Sequence, residues 1–216
     1  MSFEVINVIE LLDLVGEDTA QTILSDFSCE KNPAIEHFLK HNAINFAKQK
    51  LSITHLVFTE DALIAGYFTL THKPLVVDAA DITSFSNSDK RRLKKHARFD
   101  DASQTYALSA FLLAQFGKND HAIGEAAISG NDLMALAIDT LRIAQHVIGG
   151  GVIFLECEEQ EKLLNFYQKP EKGYKRYGLR HSAAEQMGTS SCCVSSDANL
   201  LTPSGVFYCT QAGQMR

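Results

Sequence analysis

The sequence predicts an α/β fold organised around a parallel βαβ unit. Three observations carry this. An apolar strand over residues 106–115 is followed, after a loop, by a long helical pattern over 131–148. Gly149-Gly150-Gly151 ends that helix, and a second apolar strand comes next over 152–157. Strands joined by a crossover helix lie parallel and adjacent. Such a helix points its free amides toward whatever sits at the carboxyl end of the preceding strand. The segment Ser129-Gly130-Asn131-Asp132 is therefore where a phosphate-bearing ligand would dock.

The other elements are read in chain order. Residues 4–9 alternate as a short strand. Residues 18–27 have a helical look, with Ile23, Leu24 and Phe27 on one face and Asp18 or Thr19 available as a cap. Residues 34–50 form an amphipathic helix whose stripe is Ile35, Phe38, Leu39, Ala43, Phe46 and Ala47. Two strands, 53–59 and 62–71, are joined by Thr59-Glu60-Asp61 as a hairpin. Gly66-Tyr67 inside the second marks a bulge or a close approach of ligand to backbone. Residues 74–101 are irregular and carry six cations in the nine residues from Lys90 to Arg98. That cluster is either a solvated helix face or a patch for an acidic partner. After the βαβ unit come a short helix with Asn165-Phe166-Tyr167, a turn over 169–173 and a strand over 174–180. Residues 206–210 supply the one strand candidate in the tail, and no internal repeat is evident.

At 216 residues the chain is expected to make one domain, 1–216, with 181–216 as a tail of no assigned role. Apolar content of 45% and charged content of 21% are ordinary for a soluble globular protein. A net charge of −6 argues against coating nucleic acid over the whole surface, while permitting a local basic patch. No run of about 18 apolar residues suggests a membrane span. The start lacks a basic region followed by an apolar one, so a cytoplasmic protein is expected. Five cysteines, an odd number without regular spacing, do not form a disulfide framework. His37 and His41 have metal-compatible i,i+4 spacing, but no third ligand accompanies them. No metal is expected.

Several motifs together resemble the GCN5-related N-acetyltransferase superfamily. They are the strand ending Leu112-Leu113-Ala114-Gln115-Phe116-Gly117-Lys118-Asn119, the Ser129-Gly130 helix start, the triple glycine, Phe154-Leu155-Glu156-Cys157-Glu158 and Asn165-Phe166-Tyr167. The resemblance spans about residues 34–180. The helix leading into Leu56-Val57-Phe58 and residues 64–70 looks like the matching part of toxin-type members. One departure is plain: no segment matches the family's Gln/Arg-x-x-Gly-x-Gly/Ala phosphate loop in full. The resemblance implies a mixed, strongly twisted sheet with helices on both faces, an acyl-CoA N-acyltransferase-like fold. It implies acetyl-CoA as acyl donor. Its pantetheine arm would meet Leu113, Ala114 and Gln115, and its phosphates Ser129, Gly130, Asn131 and Asp132. Ser129 or Asn131 as a simple helix cap is compatible with that role.

Acetyl transfer to an amine needs a neutral amine, a polarised carbonyl and a proton for the departing thiolate. By resemblance Tyr167 is the acid; its phenol, with a reference pKa near 10, is protonated at neutral pH. The competing reading is an aromatic on the buried face of a short helix. Glu156 and Glu158 share a strand face and are candidate bases, or else a solvated strand end. Asn165 is a candidate cofactor contact. Cys157 lacks a paired histidine, which argues against an acyl-enzyme. The acceptor is an amine on a small molecule, a protein or an aminoacyl-tRNA. RNA would be held through Lys90–Arg98, and a homodimer is one expectation. The alternative is a non-catalytic acetyl-CoA-binding or regulatory module with the same fold.

Overall fold

A computed structural model describes residues 2–83, 85–158, 160–168, 174–181 and 189–195, of which 158, 175–181 and 189–195 are described as backbone. The chain divides into two compact units. The first is Met1–Thr71 with Ala114–Leu141, and the second is His72–Leu113 with Arg142–Arg216.

The first unit opens with β1 (Glu4–Asn7), which runs directly into α1 (Val8–Val15). The expected strand over 4–9 thus stops at Asn7, and a helix takes over that the alternation did not announce. Asn7 is the reason. Its side chain accepts from the Ile9 and Glu10 amides at 3.0 Å each, and Glu10 Oε2 accepts from the Asn7 amide at 3.0 Å. This reciprocal cap satisfies donors that a helix start leaves open. The next helix, α2 (Glu17–Ser25), begins at Gly16 with no side-chain cap, so neither Asp18 nor Thr19 fills that role.

The expected helix over 34–50 is present in three parts: α3 (Pro33–His37), a π-helical turn over Phe38–Asn42, and α4 (Ala43–Lys48). A π turn inserts an extra residue into the ladder and rotates the succeeding turns about the axis. Phe38, Leu39, Ala43, Ile44 and Ala47 nevertheless all stay buried. Tyr67, fully buried, donates its hydroxyl to the Ile35 carbonyl of α3 at 2.6 Å. These residues join Val8, Leu24, Phe27 and Leu56 in one apolar core.

β2 (Ile53–Phe58) pairs antiparallel with both β1 and β3 (Ile64–Asp78). The register passes from Val57↔Gly66 to Phe58↔Ile64, so Ala65 is the extra residue of a bulge beside Gly66. What approaches Gly66 is backbone: a Cβ there would stand 2.9 Å from the Gly117 carbonyl oxygen. β3 continues to Asp78, well past the expected end at 71. Its register with β2 stops at Leu70, so Pro74 removes no hydrogen bond from that ladder.

The second unit turns the irregular 74–101 region into regular structure. α5 (Asn87–Lys95) leads into β4 (Ala97–Asp100), which pairs antiparallel with β5 (Thr105–Lys118). β5 pairs parallel with β6 (Val152–Glu158), from Ala110↔Val152 to Leu113↔Leu155. Both strands of the expected βαβ unit and its helix, α6 (Gly130–Ile148), are therefore present. α7 (Glu161–Tyr167) comes after β6. β7 (Lys175–His181) matches the expected strand over 174–180. β8 (Thr189–Ser195), which was not foreseen, lies between β6 and β7. The strand path is β1-β2-β3-β5 in the first unit and β3-β5-β6-β8-β7 in the second, with β4 on β5. The expected strand over 206–210 lies outside the described residues.

Glycine ends α6 because of what packs there. Gly150 has φ +100° and a Cβ on it would meet the Phe111 ring at 2.8 Å, while a Cβ on Gly151 would run into the His96 ring. No other residue fits both places without moving an aromatic ring.

One half-buried group sets a pH response. Burial pushes the His55 imidazole down from 6.5 to about 4, and Glu10 opposes this only in part. His55 stacks on Phe68 with ring centroids 5.1 Å apart. As pH falls below 6.5 the unfolded chain takes up a proton that the folded chain refuses until about 4. Stability should therefore fall across that window, by about 3 kcal/mol in all. Denaturant titrations at pH 7 and pH 4.5 on wild type and His55→Leu measure it. The variant should lose markedly less stability on acidification, and identical losses would show that His55 is not responsible.

Candidate active site

In the first unit the chain prepares the start of α6. Ser129 caps it: its Oγ accepts from the Asp132 amide at 3.1 Å and donates to Asp132 Oδ2 at 2.5 Å. The Leu133 amide donates to the Ser129 carbonyl at 3.0 Å. The Asp132 carboxylate is thereby drawn onto the cap. Gly130 and Asn131 contribute amides from the first turn, where a helix has no acceptors of its own. Ala114 and Gln115, both half-buried on β5, lie in this unit with them.

The loop between β5 and α6 is anchored by a residue that sequence reasoning did not single out for a role. Asn119 is buried. Its amide donates to the Ala65 carbonyl (2.9 Å) and its Nδ2 to the Ile64 carbonyl (2.7 Å). Its Oδ1 accepts from the Ser28 and His121 amides, each at 3.0 Å. Asp120 adds two contacts: its amide donates to the Ser28 carbonyl at 2.8 Å and its Oδ2 accepts from the Glu30 amide at 2.9 Å. Residues 119–120 thus hold the backbone of the 28–30 loop through two side-chain oxygens and one backbone amide. A polar residue directly after an apolar strand was the available signal. Nearby, burial pushes the Cys29 thiol up, which keeps it protonated and a poor nucleophile.

The second unit holds Leu113, Glu156, Glu158, Asn165 and Tyr167. Leu113 is buried and pairs with Leu155. Glu156 and Cys157 are half-buried, and register places Glu156 opposite Cys192 and Glu158 opposite Ser190. The Glu158 side chain lies outside the described residues. On α7 the two candidates part company. Tyr167 is buried, edge-on to Phe166 at 5.0 Å and to Tyr174 at 5.4 Å between ring centroids. Asn165 is exposed and lines an open cavity of about 460 Å³ with Glu161, Lys162 and Phe166.

The basic cluster sits on α5 and β4. Ser86 caps α5, accepting from the Asp89 amide at 3.2 Å. Leu93 is fully buried, while Arg91, Arg92, Lys94, Lys95 and Arg98 are exposed. His37 and His41 rings lie 4.6 Å apart, and among the described residues no group of three or more His, Cys, Asp or Glu could hold a metal.

No protein-family model matches the sequence, and no curated protein does. Solved structures do. The chain is similar to AtaT complexed with acetyl-methionyl-tRNAfMet, at 17% identity over 88% of this chain and 94% of that one, with a TM-score of 0.58. It is similar to a mutant of KacT at 14% identity over 89% and 95%, with a TM-score of 0.55. It is similar to a structure described as a bacterial toxin at 12% identity over 79% and 82%, with a TM-score of 0.54. The chain therefore shares the fold of these solved structures. No described helix is long and apolar enough to cross a membrane.

The cap at α6 yields a prediction. Ser129→Ala removes the acceptor for the Asp132 amide and should cost about 1 kcal/mol of stability, whereas Ser129→Thr should retain most of it. Thermal melts of the three proteins check this, and an unchanged Ser129→Ala melt would mean the cap contributes nothing.

Proposed function

We propose that the chain, as a single domain over 1–216, is an N-acetyltransferase that moves an acetyl group from acetyl-CoA to a primary amine. The observation that carries this is the β5–α6–β6 crossover in an acetyltransferase-like fold. Its parallel register covers four residue pairs, yet β5 runs on to Lys118 and β6 to Glu158. Backbone groups of Leu113, Ala114 and Gln115 would receive the pantetheine arm. The Gly130 and Asn131 amides would face the pyrophosphate, with the helix dipole behind them. Asp132 fits this role because its carboxylate is turned onto Ser129 rather than left to repel the phosphates.

Bound acetyl-CoA would supply the activated carbonyl. The amine nitrogen forms the new C–N bond as the C–S bond breaks. Tyr167 gives its phenolic proton to the departing sulfur, and the amine's proton passes to Glu156, Glu158 or water. Asn165 would hold the cofactor from its exposed face of α7. The basic cluster from Lys90 to Arg98 would hold an RNA-borne acceptor such as an aminoacyl-tRNA, consistent with the ligand named for the AtaT structure.

A second reading, a non-catalytic acetyl-CoA-binding module, is favoured by one observation. The chain enters α6 through the Ser129 cap where the family has its glycine-rich loop, so the family's phosphate motif is not kept in full.

Tyr167→Phe separates the readings, since it removes the hydroxyl and keeps the ring between Phe166 and Tyr174. As general acid, its loss should lower turnover, measured as thiol release, about 10²- to 10⁴-fold with little change in melting temperature. Full activity in the variant would remove Tyr167 from the mechanism. A wild type that binds acetyl-CoA but releases no thiol with any amine acceptor would favour the module.

A further inference from the structure

The cations of α5 do not stand alone. β4 places Phe99 directly opposite Tyr106 on β5, and the two rings lie 4.6 Å apart at 39°. Tyr106 is buried beneath, while Phe99 keeps 39% of its surface in solvent. Lys94 Nζ sits over the Tyr106 ring, 5.3 Å from its centroid. α5 thus delivers a charge onto the same pair of aromatics that β4 presents. Strand alternation puts Arg98 and Asp100 on the face of β4 opposite to Phe99. Arg91, Arg92 and Lys95 are exposed on α5, and Lys90 reaches back to the Thr83 carbonyl at 2.6 Å. Residues 89–101 carry six cations against the carboxylates of Asp89, Asp100 and Asp101. Asp89 is buried and bonded to Ser86 at 2.7 Å, so it subtracts little from the surface field. Asp100 is held by the Ala102 amide and the Ser103 hydroxyl.

We infer that the α5–β4–β5 surface is a stacking platform for unpaired nucleotides, with Phe99 receiving a base and the α5 cations tracking the flanking phosphates. Cations alone fit many acidic partners. A solvent-facing ring backed by a second ring and a charge fits one better than the rest, because every base has a π-face and stacks without sequence preference. An acidic peptide would use the cations and leave the ring idle. A duplex would likewise meet the cations through its phosphates but keep its bases stacked on each other.

The inference deepens the RNA-contact reading of the same surface. Its readout is binding alone, so its failure is distinguishable from a failure of acetyl transfer, which thiol release measures. Fluorescence anisotropy with short labelled single-stranded RNA, single-stranded DNA, duplex RNA and a polyglutamate peptide provides the test. Wild type should bind the single strands more tightly than the duplex. Phe99→Ala and Phe99→Leu should weaken single-strand binding about 10- to 100-fold without changing its salt dependence, and Phe99→Tyr should restore it. Replacing Arg91, Arg92 and Lys95 by Ser should instead flatten the salt dependence for every nucleic-acid probe. A tighter RNA arm identifies RNA as the natural source of the nucleotides, and a tighter DNA arm identifies DNA. Phe99→Leu keeps an apolar contact with Tyr106, so its melting temperature controls for folding. Wild-type affinity in Phe99→Leu, equal affinity for duplex and single strand, or binding of polyglutamate alone would each overturn the inference.

Discussion

The register of β5 against β6 depends on the glycine break between α6 and β6. α6 is 19 residues long, and its end must turn at once into a strand that pairs with β5 from Ala110↔Val152 onward. Two aromatic rings crowd that turn: Phe111 from β5 against Gly150, and His96 from the end of α5 against Gly151. A side chain at either glycine would displace a ring. The parallel pairing, the start of β6 and the placement of the basic helix α5 are thus tied to one short backbone segment. β8 then pairs along β6 and carries β7, so the same segment also locates the outer strands.

In the first unit the comparable constraint is polar. Asn119 satisfies its own buried amide, the Ile64 carbonyl and the Ser28 and His121 amides at once. Leaving any of these unpaired in a buried place would cost about 1–3 kcal/mol. The loop that leads into α6 is therefore fixed before its cap is reached, which matters for a helix start expected to meet a phosphate. The Ser129 cap fixes the direction of the Asp132 carboxylate in turn.

How much of this the sequence announced varied with the physics involved. The crossover was legible because apolar strands and a helix-length pattern bracket a triple glycine. The hairpin was legible from its turn and the bulge from Gly66, beside which the Gly117 carbonyl stands close. α1 went unread because Val8 and Ile9 continue an alternation, and the deciding signal was the Asn7–Glu10 spacing. β4 was hidden at the end of a charge run, because the alternation of Ala97-Arg98-Phe99-Asp100 is only four residues long. The π turn left no mark, as the step from Leu39 to Ala43 is equally an α-helical one. At the candidate site, Ser129 and Gly130 stand where the spacing put them. Tyr167 and Asn165, two residues apart on one helix, divide between a buried aromatic cluster and an open cavity, a split that a triplet motif does not reveal.

The proposed activity turns on one contact, in which the start of α6 receives the phosphates of acetyl-CoA. Gly130→Glu places bulk and a negative charge there while leaving the Ser129 cap and the buried residues of α6 in place. Calorimetric titration of acetyl-CoA into wild type and this variant measures that contact. Wild type should bind clearly and Gly130→Glu should not, with a similar melting temperature for the two proteins. Equal affinity in both would contradict the phosphate contact.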